Sequence, residues 1–193
     1  MIRMATERDI PAILEIYGPY VLETAISFEY TVPTTEAFTA RFRAITAQFP
    51  WLVWEDKGTV LGYAYGIAPF ERAAFGWCSE ASIYLRPEAQ GRGIGKKLYA
   101  VLEAILALQG YTKVYSLVTS ANRPSVDFHL AVGYRLTATL PDCGFKHGRW
   151  YGLHWLEKPL NSVEMPTHTP LPVGSIVDFD RKFSEILDKM SLS

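Results

Sequence analysis

The residues best suited to chemistry lie between Glu80 and Leu108. Glu80-Ala81-Ser82-Ile83-Tyr84-Leu85 has the composition of a strand, Arg86-Pro87-Glu88-Ala89 breaks it, and the loop Gln90-Gly91-Arg92-Gly93-Ile94-Gly95 follows. A helix is predicted next, because Leu98, Val101, Leu102, Ile105 and Leu108 recur at three- and four-residue steps. Glycines at alternate positions remove the side chains that would keep a ligand from the backbone. Successive amide N–H groups opening into a helix N-terminus form an anion site, so a phosphate or pyrophosphate is the expected ligand. Two other phosphate loops fit less well. A dinucleotide fingerprint wants glycine where Lys96 stands, and a Walker loop wants four residues before its Gly-Lys-Ser/Thr, where this chain has three and a second lysine, Lys97.

These residues need a folded frame, and composition supplies one. A chain of 193 residues is one ordinary domain, and 49% hydrophobic and 13% aromatic residues are globular values. No apolar run reaches transmembrane length, and the first nine residues lack the apolar core of a signal peptide. The formal net charge of −1 gives no general attraction to nucleic acid or to anionic membrane. Cys78 and Cys143 form neither a disulfide framework nor a paired metal-ligand spacing, and both read as structural. A reduced, cytoplasmic protein without metal is expected.

Taken in order, residues 1–6 read as a short strand, and Thr6 caps a helix to about Glu23 with Ile10, Ile13, Leu14, Tyr17 and Val21 on one face. Pro33-Thr34-Thr35-Glu36 opens a second helix carrying Phe38, Phe42, Ile45 and Phe49, ended by Pro50. Trp51–Glu55 and Val60–Ile67 form a hairpin around Asp56-Lys57-Gly58, and a less regular segment leads to the central strand. After the central helix come a strand over Lys113–Thr119 and a helix from Asn122 to Gly133. Strands over Tyr134–Leu140 and Arg149–Glu157 follow, joined by Pro141–Gly148. The tail holds a proline-rich spacer over residues 161–174 and an amphipathic helix over 175–193, capped by Ser175, with Ile176, Phe179, Phe183, Ile186, Leu187 and Met190 on one stripe. That stripe is expected to pack on the main domain, residues 1–160, or on a second subunit.

The Gln/Arg-x-x-Gly-x-Gly/Ala pattern after a strand resembles the coenzyme loop of the GNAT superfamily of N-acetyltransferases, and the order of elements over about residues 2–158 is similar to its fold. Five segments resemble the branch of phosphinothricin and methionine sulfoximine acetyltransferases: Phe49-Pro50-Trp51-Leu52-Val53, Gly62-Tyr63-Ala64-Tyr65, Glu80–Leu85, Gly133-Tyr134 and Gly144-Phe145-Lys146-His147-Gly148-Arg149-Trp150. The resemblance implies an α/β (α+β) fold with a mixed sheet of about seven strands, flanking helices and a splayed coenzyme cleft. It also implies acetyl-CoA as co-substrate, a small amine as acceptor, and a homodimer.

The implied reaction moves an acetyl group from a thioester to an amine in one ternary complex. Gly91, Arg92, Gly93, Ile94, Gly95 and Lys96 would cradle the pyrophosphate, and Ile83, Tyr84 and Leu85 would pair with the pantetheine arm as a strand does. One strand N–H would polarise the thioester carbonyl. Asn122 resembles the family's coenzyme-contacting asparagine and is equally an N-cap. A protonated amine needs a base, and Glu80 matches the branch's glutamate. The departing thiolate needs an acid, for which His129 stands where many members place a tyrosine; an ordinary polar position on an amphipathic helix is the competing reading. His147, in the Lys-His-Gly segment, would position the acceptor or share its proton.

On the acceptor side the resemblance points to Phe28, Glu29, Arg72, Glu80 and Ser82, with Arg72 holding a carboxylate or phosphinate. One departure is plain: the branch's Asn-Phe-Arg is Ser27-Phe28-Glu29 in this chain. Methionine sulfone, sulfoximine and other small amines therefore stand beside phosphinothricin as acceptors. A peptide or protein acetyltransferase, or a non-catalytic acetyl-CoA sensor, would share the coenzyme features. Phe28, Tyr30, Phe70 and Phe75 favour a closed small-molecule pocket over a peptide groove.

Overall fold

A computed structural model describes residues 1–166 and 168–191; Thr167 of the proline-rich segment and the last two residues of the tail lie outside the described residues. Seven strands form one sheet in the order β1-β2-β3-β4-β5-β7-β6. They are β1 (Ile2–Met4), β2 (Trp51–Asp56), β3 (Thr59–Ile67), β4 (Cys78–Leu85), β5 (Lys113–Thr119), β6 (Arg135–Lys146) and β7 (Arg149–Pro159). Five helices flank it: α1 (Ile10–Leu22), α2 (Thr35–Thr46), α3 (Ile94–Gln109), α4 (Arg123–Ala131) and α5 (Phe179–Ser191). Every pairing is antiparallel except β4 with β5.

Gly62-Tyr63-Ala64-Tyr65-Gly66 on β3 shows how the sequence builds two faces. Side chains alternate along a strand, so the tyrosines share one face and the small residues the other. Tyr65 stacks on Trp51 with centroids 4.1 Å apart, and Trp51 meets Phe38 and Phe42 of α2. On the opposite face a Cβ at Gly66 would already stand 3.1 Å from Leu106 of α3, so the small residues let the central helix lie close. Leu98, Val101, Leu102, Ile105 and Leu106 are fully buried there, each contributing about 1.5–3 kcal/mol. Leu108, expected on the same stripe, is 41% exposed, and Leu106 takes its place. Gly110, at φ 100°, terminates α3.

Several boundaries differ from the sequence expectations. Thr6 precedes a single 3-10 turn, Glu7–Asp9, and α1 starts at Ile10. Helix α2 stops at Thr46, leaving Phe49 in a loop where it stacks on Tyr111. Strand β6 does not end at Leu140. Its register shifts between Leu140 and Gly144, where Pro141 offers no N–H and Asp142 takes φ 46°, and then Gly144–Lys146 pairs again with Arg149–Tyr151. The turn is thereby reduced to His147-Gly148, both at positive φ as a two-residue hairpin requires. In the tail, Ser175 closes a 3-10 turn rather than capping a helix, and α5 begins at Phe179, after Asp178 takes φ 55°. Helix α5 packs on α3.

The re-paired hairpin carries Lys146, only 1% exposed, back under the α1–α2 loop. Its Nζ donates to the Val21 and Ser27 carbonyls, each at 2.6 Å, satisfying an orphan carbonyl near the end of α1. Buried Ser27 bonds Tyr17 Oη at 2.8 Å, the Tyr30 hydroxyl donates to the Phe145 carbonyl, and a Cβ at Gly144 would fall 2.4 Å from the Phe28 ring. The loop that carries Phe28 and Glu29 is therefore fixed by a lysine and a glycine a hundred residues away. Replacing Lys146 by Met would keep most of the volume but strip two buried carbonyls of their donor, at a cost of about 2–4 kcal/mol. Chemical denaturation should show the midpoint falling; an unchanged midpoint would mean that the lysine does not hold the loop.

Candidate active site

The parallel pairing of β4 with β5 is confined to Cys78–Lys113, Ser79–Val114 and Glu80–Tyr115, after which the strands part. The gap they leave is a cleft lined by Ser82, Ile83 and Tyr84 on one side and by Ser116, Val118 and Asn122 on the other. The Ala81 carbonyl accepts from Ser116 Oγ at 3.1 Å, and the Leu85 carbonyl accepts from Tyr20 Oη at 2.6 Å. Both therefore face away from β3, whose own link to this end runs from the Arg86 N–H to the Leu61 carbonyl. By strand alternation Ile83 presents its N–H and carbonyl the same way, into the gap. This is an open strand edge of the kind that takes up an extended, amide-bearing ligand.

At the mouth of the cleft the chain runs through Gly91 (φ 70°) and Gly93 (φ 75°) into α3, whose first-turn N–H groups point outward. A Cβ at either glycine would meet nothing within 4 Å. The space in front of the helix end is thus free for an anion, with exposed Arg92 and Lys96 beside it. Gly95 differs, since a Cβ there would sit 3.4 Å from both Ile83 and Phe128. It lets β4, α3 and α4 approach one another. Asn122 Oδ1 accepts from the Ser125 N–H at 3.3 Å as the N-cap of α4 while also lining the cleft. An anionic head in the glycine loop and an amide-bearing arm along Ile83–Leu85 fit these residues.

Glu80 stands at the last paired position before the gap. Burial pushes its carboxyl up to about 7, well above the ordinary carboxylate range. Its register partners are Ile67 on β3 and Tyr115 on β5. Ser82, two residues on and on the same face, pairs with Tyr65, whose phenol burial raises to about 12. A carboxyl raised towards neutrality by burial, on the face that also carries Tyr65 and Ser82, suits a general base.

His129 is buried rather than displayed on a polar helix face. Its Nδ1 lies 2.6 Å from the Ser125 carbonyl, which can only accept, so the proton resides on Nδ1. Burial lowers the ring's pKa, opposed by that carbonyl bond. The neutral Nε2 is then an acceptor, filled by Tyr99 Oη at 3.0 Å. Tyr99 lies within 3.3 Å of Ser116 Oγ, and all three residues line the cleft. His147 sits at the hairpin tip, exposed, with Nε2 3.3 Å from the Thr24 carbonyl, and shares no contact with Glu80.

The acceptor-side residues divide into two groups. Glu29 pairs with Arg41 at 2.7 Å, so the carboxylate that replaces the branch's arginine has a guanidinium of its own from α2. Phe28 lies against Gly144 of the β6–β7 hairpin, and Tyr30, largely exposed, meets the same hairpin through its hydroxyl bond to the Phe145 carbonyl. Phe70 and Phe75 belong to a second cluster, in which Phe70 stacks on Trp155 at 5.6 Å and meets Tyr115 edge-on at 6.2 Å. The four aromatics expected to form one closed pocket thus form two separate walls. Arg72 lies in the β3–β4 segment beside Phe70 and Cys78, outside the cleft. Sequence reasoning missed Arg41, Tyr99, Tyr115 and Trp155, since only the sheet register and the α1–α2 loop bring them to the site. Among the described residues no three His, Cys, Asp or Glu side chains gather as a metal would require, and no helix is long and apolar enough to cross a membrane.

Replacing Gly93 by Val would place a branched side chain in the open space before α3, at a φ that only glycine adopts freely. Calorimetry should show acetyl-CoA binding lost with little change in melting temperature; unaltered affinity would remove the loop from the binding site.

The acetyltransferase (GNAT) domain family matches residues 2–155. Phosphinothricin N-acetyltransferase of Streptomyces viridochromogenes is 31% identical over 175 residues, covering 91% of this chain and 93% of its own. The L-methionine sulfoximine/L-methionine sulfone acetyltransferase of Salmonella typhimurium is 32% identical over 166 residues, covering 86% and 97%. Among solved structures, a phosphinothricin acetyltransferase from Sinorhizobium meliloti in complex with AcCoA superposes with a TM-score of 0.82 at 33% identity, covering 93% of this chain and 96% of that one. This chain therefore belongs to the GNAT acetyltransferase family.

Proposed function

We propose that this protein acetylates the α-amine of a small amino-acid-like acceptor by direct transfer in a ternary complex, with Glu80 as general base. The observation that carries this reading is the burial of Glu80 at the parting of β4 and β5, with its carboxyl raised to about 7. Acetyl-CoA supplies the activated acetyl group. Gly91–Lys96 and the N-terminus of α3 hold its pyrophosphate, Ile83–Leu85 orient its arm, and Asn122 flanks it.

Glu80 accepts the proton of the acceptor ammonium, which must leave before the nitrogen lone pair can attack. The His129–Tyr99 pair, with the histidine as acceptor and the tyrosine hydroxyl as its donor, holds the proton nearest the thiolate's exit. On the acceptor side, Arg72 takes the carboxylate, Phe28 and Ser82 shape the pocket, and Glu29, compensated by Arg41, sets its charge. His147 orders the hairpin rim beside them. The names of the relatives support phosphinothricin and methionine sulfoximine or sulfone as acceptor classes.

A cytoplasmic homodimer that binds neither nucleic acid nor membrane completes the proposal. Two free cysteines suit a reducing compartment. Leu136, Leu140, Phe145 and Trp150, between 44% and 62% exposed around the edge strand β6, are the surface a second subunit would cover.

Glu80→Gln should cut turnover by roughly 10²-fold or more at neutral pH with acetyl-CoA affinity retained. It should also remove the limb of kcat/KM that rises with pH through about 7. Stability gives an independent reading. Burial raises the folded-state pKa, so this group's contribution is full below the ordinary carboxylate value and is lost as pH rises through about 7. Glu80→Gln, which cannot ionise, should therefore melt higher than the native protein above pH 7. Turnover like the native protein's across pH 6–9 would exclude Glu80 as base.

A thiol-release assay over amino acids, sulfoximines, polyamines and peptides should show turnover confined to carboxylate-bearing small amines, and Arg72→Ala should raise KM for these alone. Equal effects on amines lacking a carboxylate would count against Arg72.

A further inference from the structure

The tail does more than lay an amphipathic helix on α3. Ahead of that helix, residues 168–173 run across the lower end of the sheet and are fastened by their backbone. Gln109, at the end of α3 and 0% exposed, donates through Nε2 to the Leu171 carbonyl and to the Gln48 carbonyl, both at 2.7 Å. The Leu171 N–H returns a bond to the Gln109 carbonyl at 2.8 Å, and the Val173 N–H reaches the Gln48 carbonyl at 3.0 Å. Gln48 Nε2 donates to Tyr111 Oη at 3.0 Å and to the Pro170 carbonyl at 3.2 Å. Buried Pro170 and Val173 pin the strap to the core.

The far end of the strap reaches the β3–β4 segment. Trp77 Nε1 donates to the His168 carbonyl at 3.2 Å, and Trp77's own carbonyl accepts from the Thr112 N–H at 2.9 Å. Thr169 and Pro170 form one wall of a concavity whose opposite wall is Phe70, Arg72 and Phe75. Within residues 68–77 the only regular structure is the 3-10 turn Ala73–Phe75, so the segment's placement depends on what grips it from outside. One grip is the stack of Phe70 on Trp155, beside the register partner of Glu80. A second is Thr112 at the start of β5, whose N–H and hydroxyl both donate to the Trp77 carbonyl. The third is the strap.

We infer that residues 168–173 are a positioning element of the acceptor site. They hold the β3–β4 segment so that Phe70 stays against the aromatic wall near Glu80 while Arg72 faces the concavity walled by Thr169 and Pro170. Selection of compact acceptors bearing a carboxylate beside the amine then depends on the C-terminal tail. This rests on the reading of Arg72 as the carboxylate partner.

Three variants test it in the full-length enzyme or its truncation: Trp77→Phe, which loses the indole N–H together with part of the ring; Leu171→Pro, which loses the backbone donor to Gln109; and a chain ending at Asn161. Steady-state kinetics would be measured with methionine sulfone and with the same amine lacking its carboxylate, and acetyl-CoA affinity by calorimetry, with Arg72→Ala alongside. The expected result is a KM for methionine sulfone raised about 5- to 10-fold, the scale of one or two lost hydrogen bonds, with kcat, acetyl-CoA affinity and the KM of the carboxylate-free amine unchanged. Should the truncated chain fail to fold, the two point variants carry the test. If Arg72→Ala raises the methionine sulfone KM and the strap variants do not, the inference is overturned and the arginine reading stands. A parallel loss for both amines and for acetyl-CoA would also overturn it, as a general loosening of the fold. If Arg72→Ala is itself silent, the arginine reading fails and the inference falls with it.

Discussion

The structure turns on an incomplete parallel pairing. Strands β4 and β5 share three residue pairs and then separate, which leaves the backbone of Ile83 unpaired in the middle of a sheet. Buried backbone groups without partners are costly, so an interior strand is left open only where something else will bond to it. The surroundings of the gap are organised accordingly. Ser116 occupies the Ala81 carbonyl, Tyr20 occupies the Leu85 carbonyl, and small or polar residues line what remains. Gly95 lets α3 and α4 lie close to β4, since a Cβ there would stand 3.4 Å from both Ile83 and Phe128, and the first turn of α3 and its glycine loop stand at the cleft's open end.

The same separation sets the chemistry of Glu80. At the last paired position the half-buried Glu80 side chain stands on one face of the sheet, between Ile67 of β3 and Tyr115 of β5 in register. Desolvation without a compensating cation raises its pKa, whereas Glu157, flanked by Lys113 and Arg135, is held below the ordinary range despite its burial. One chain thus contains a buried carboxylate kept charged for structure and another poised near neutrality. The difference is that basic side chains of both neighbouring strands meet Glu157, whereas desolvation acts on Glu80 without one.

Local pattern was legible in the sequence wherever the physics is local. The central helix followed from its period, the β2–β3 hairpin from Lys57-Gly58, and the turn into α3 from Gly91 and Gly93, whose positive φ only glycine takes without strain. Contacts between distant residues left no such trace. Lys146 reads as a surface residue in a polar segment, and only the β6 bulge reveals that it is buried under α1. His129 reads as polar decoration on a helix, although three aromatic rings, of Tyr99, Phe128 and Tyr134, pack around it. Glu29 looks like a lost positive charge until Arg41, twelve residues on, is seen to meet it. Resemblance to relatives named the candidate residues, but the hydrogen-bond tautomer of His129 and the partition of the aromatics into two walls are properties of the folded register.

The central claim is that an uncompensated, desolvated glutamate sits where β4 leaves β5. Its most direct test is a carbon-13 titration of the glutamate side-chain carboxyls in the free protein, with the Glu80 signal identified by its absence in Glu80→Gln. The account predicts the Glu80 carboxyl half-protonated near pH 7. A Glu80 signal titrating in the ordinary range around pH 4–5 would contradict it.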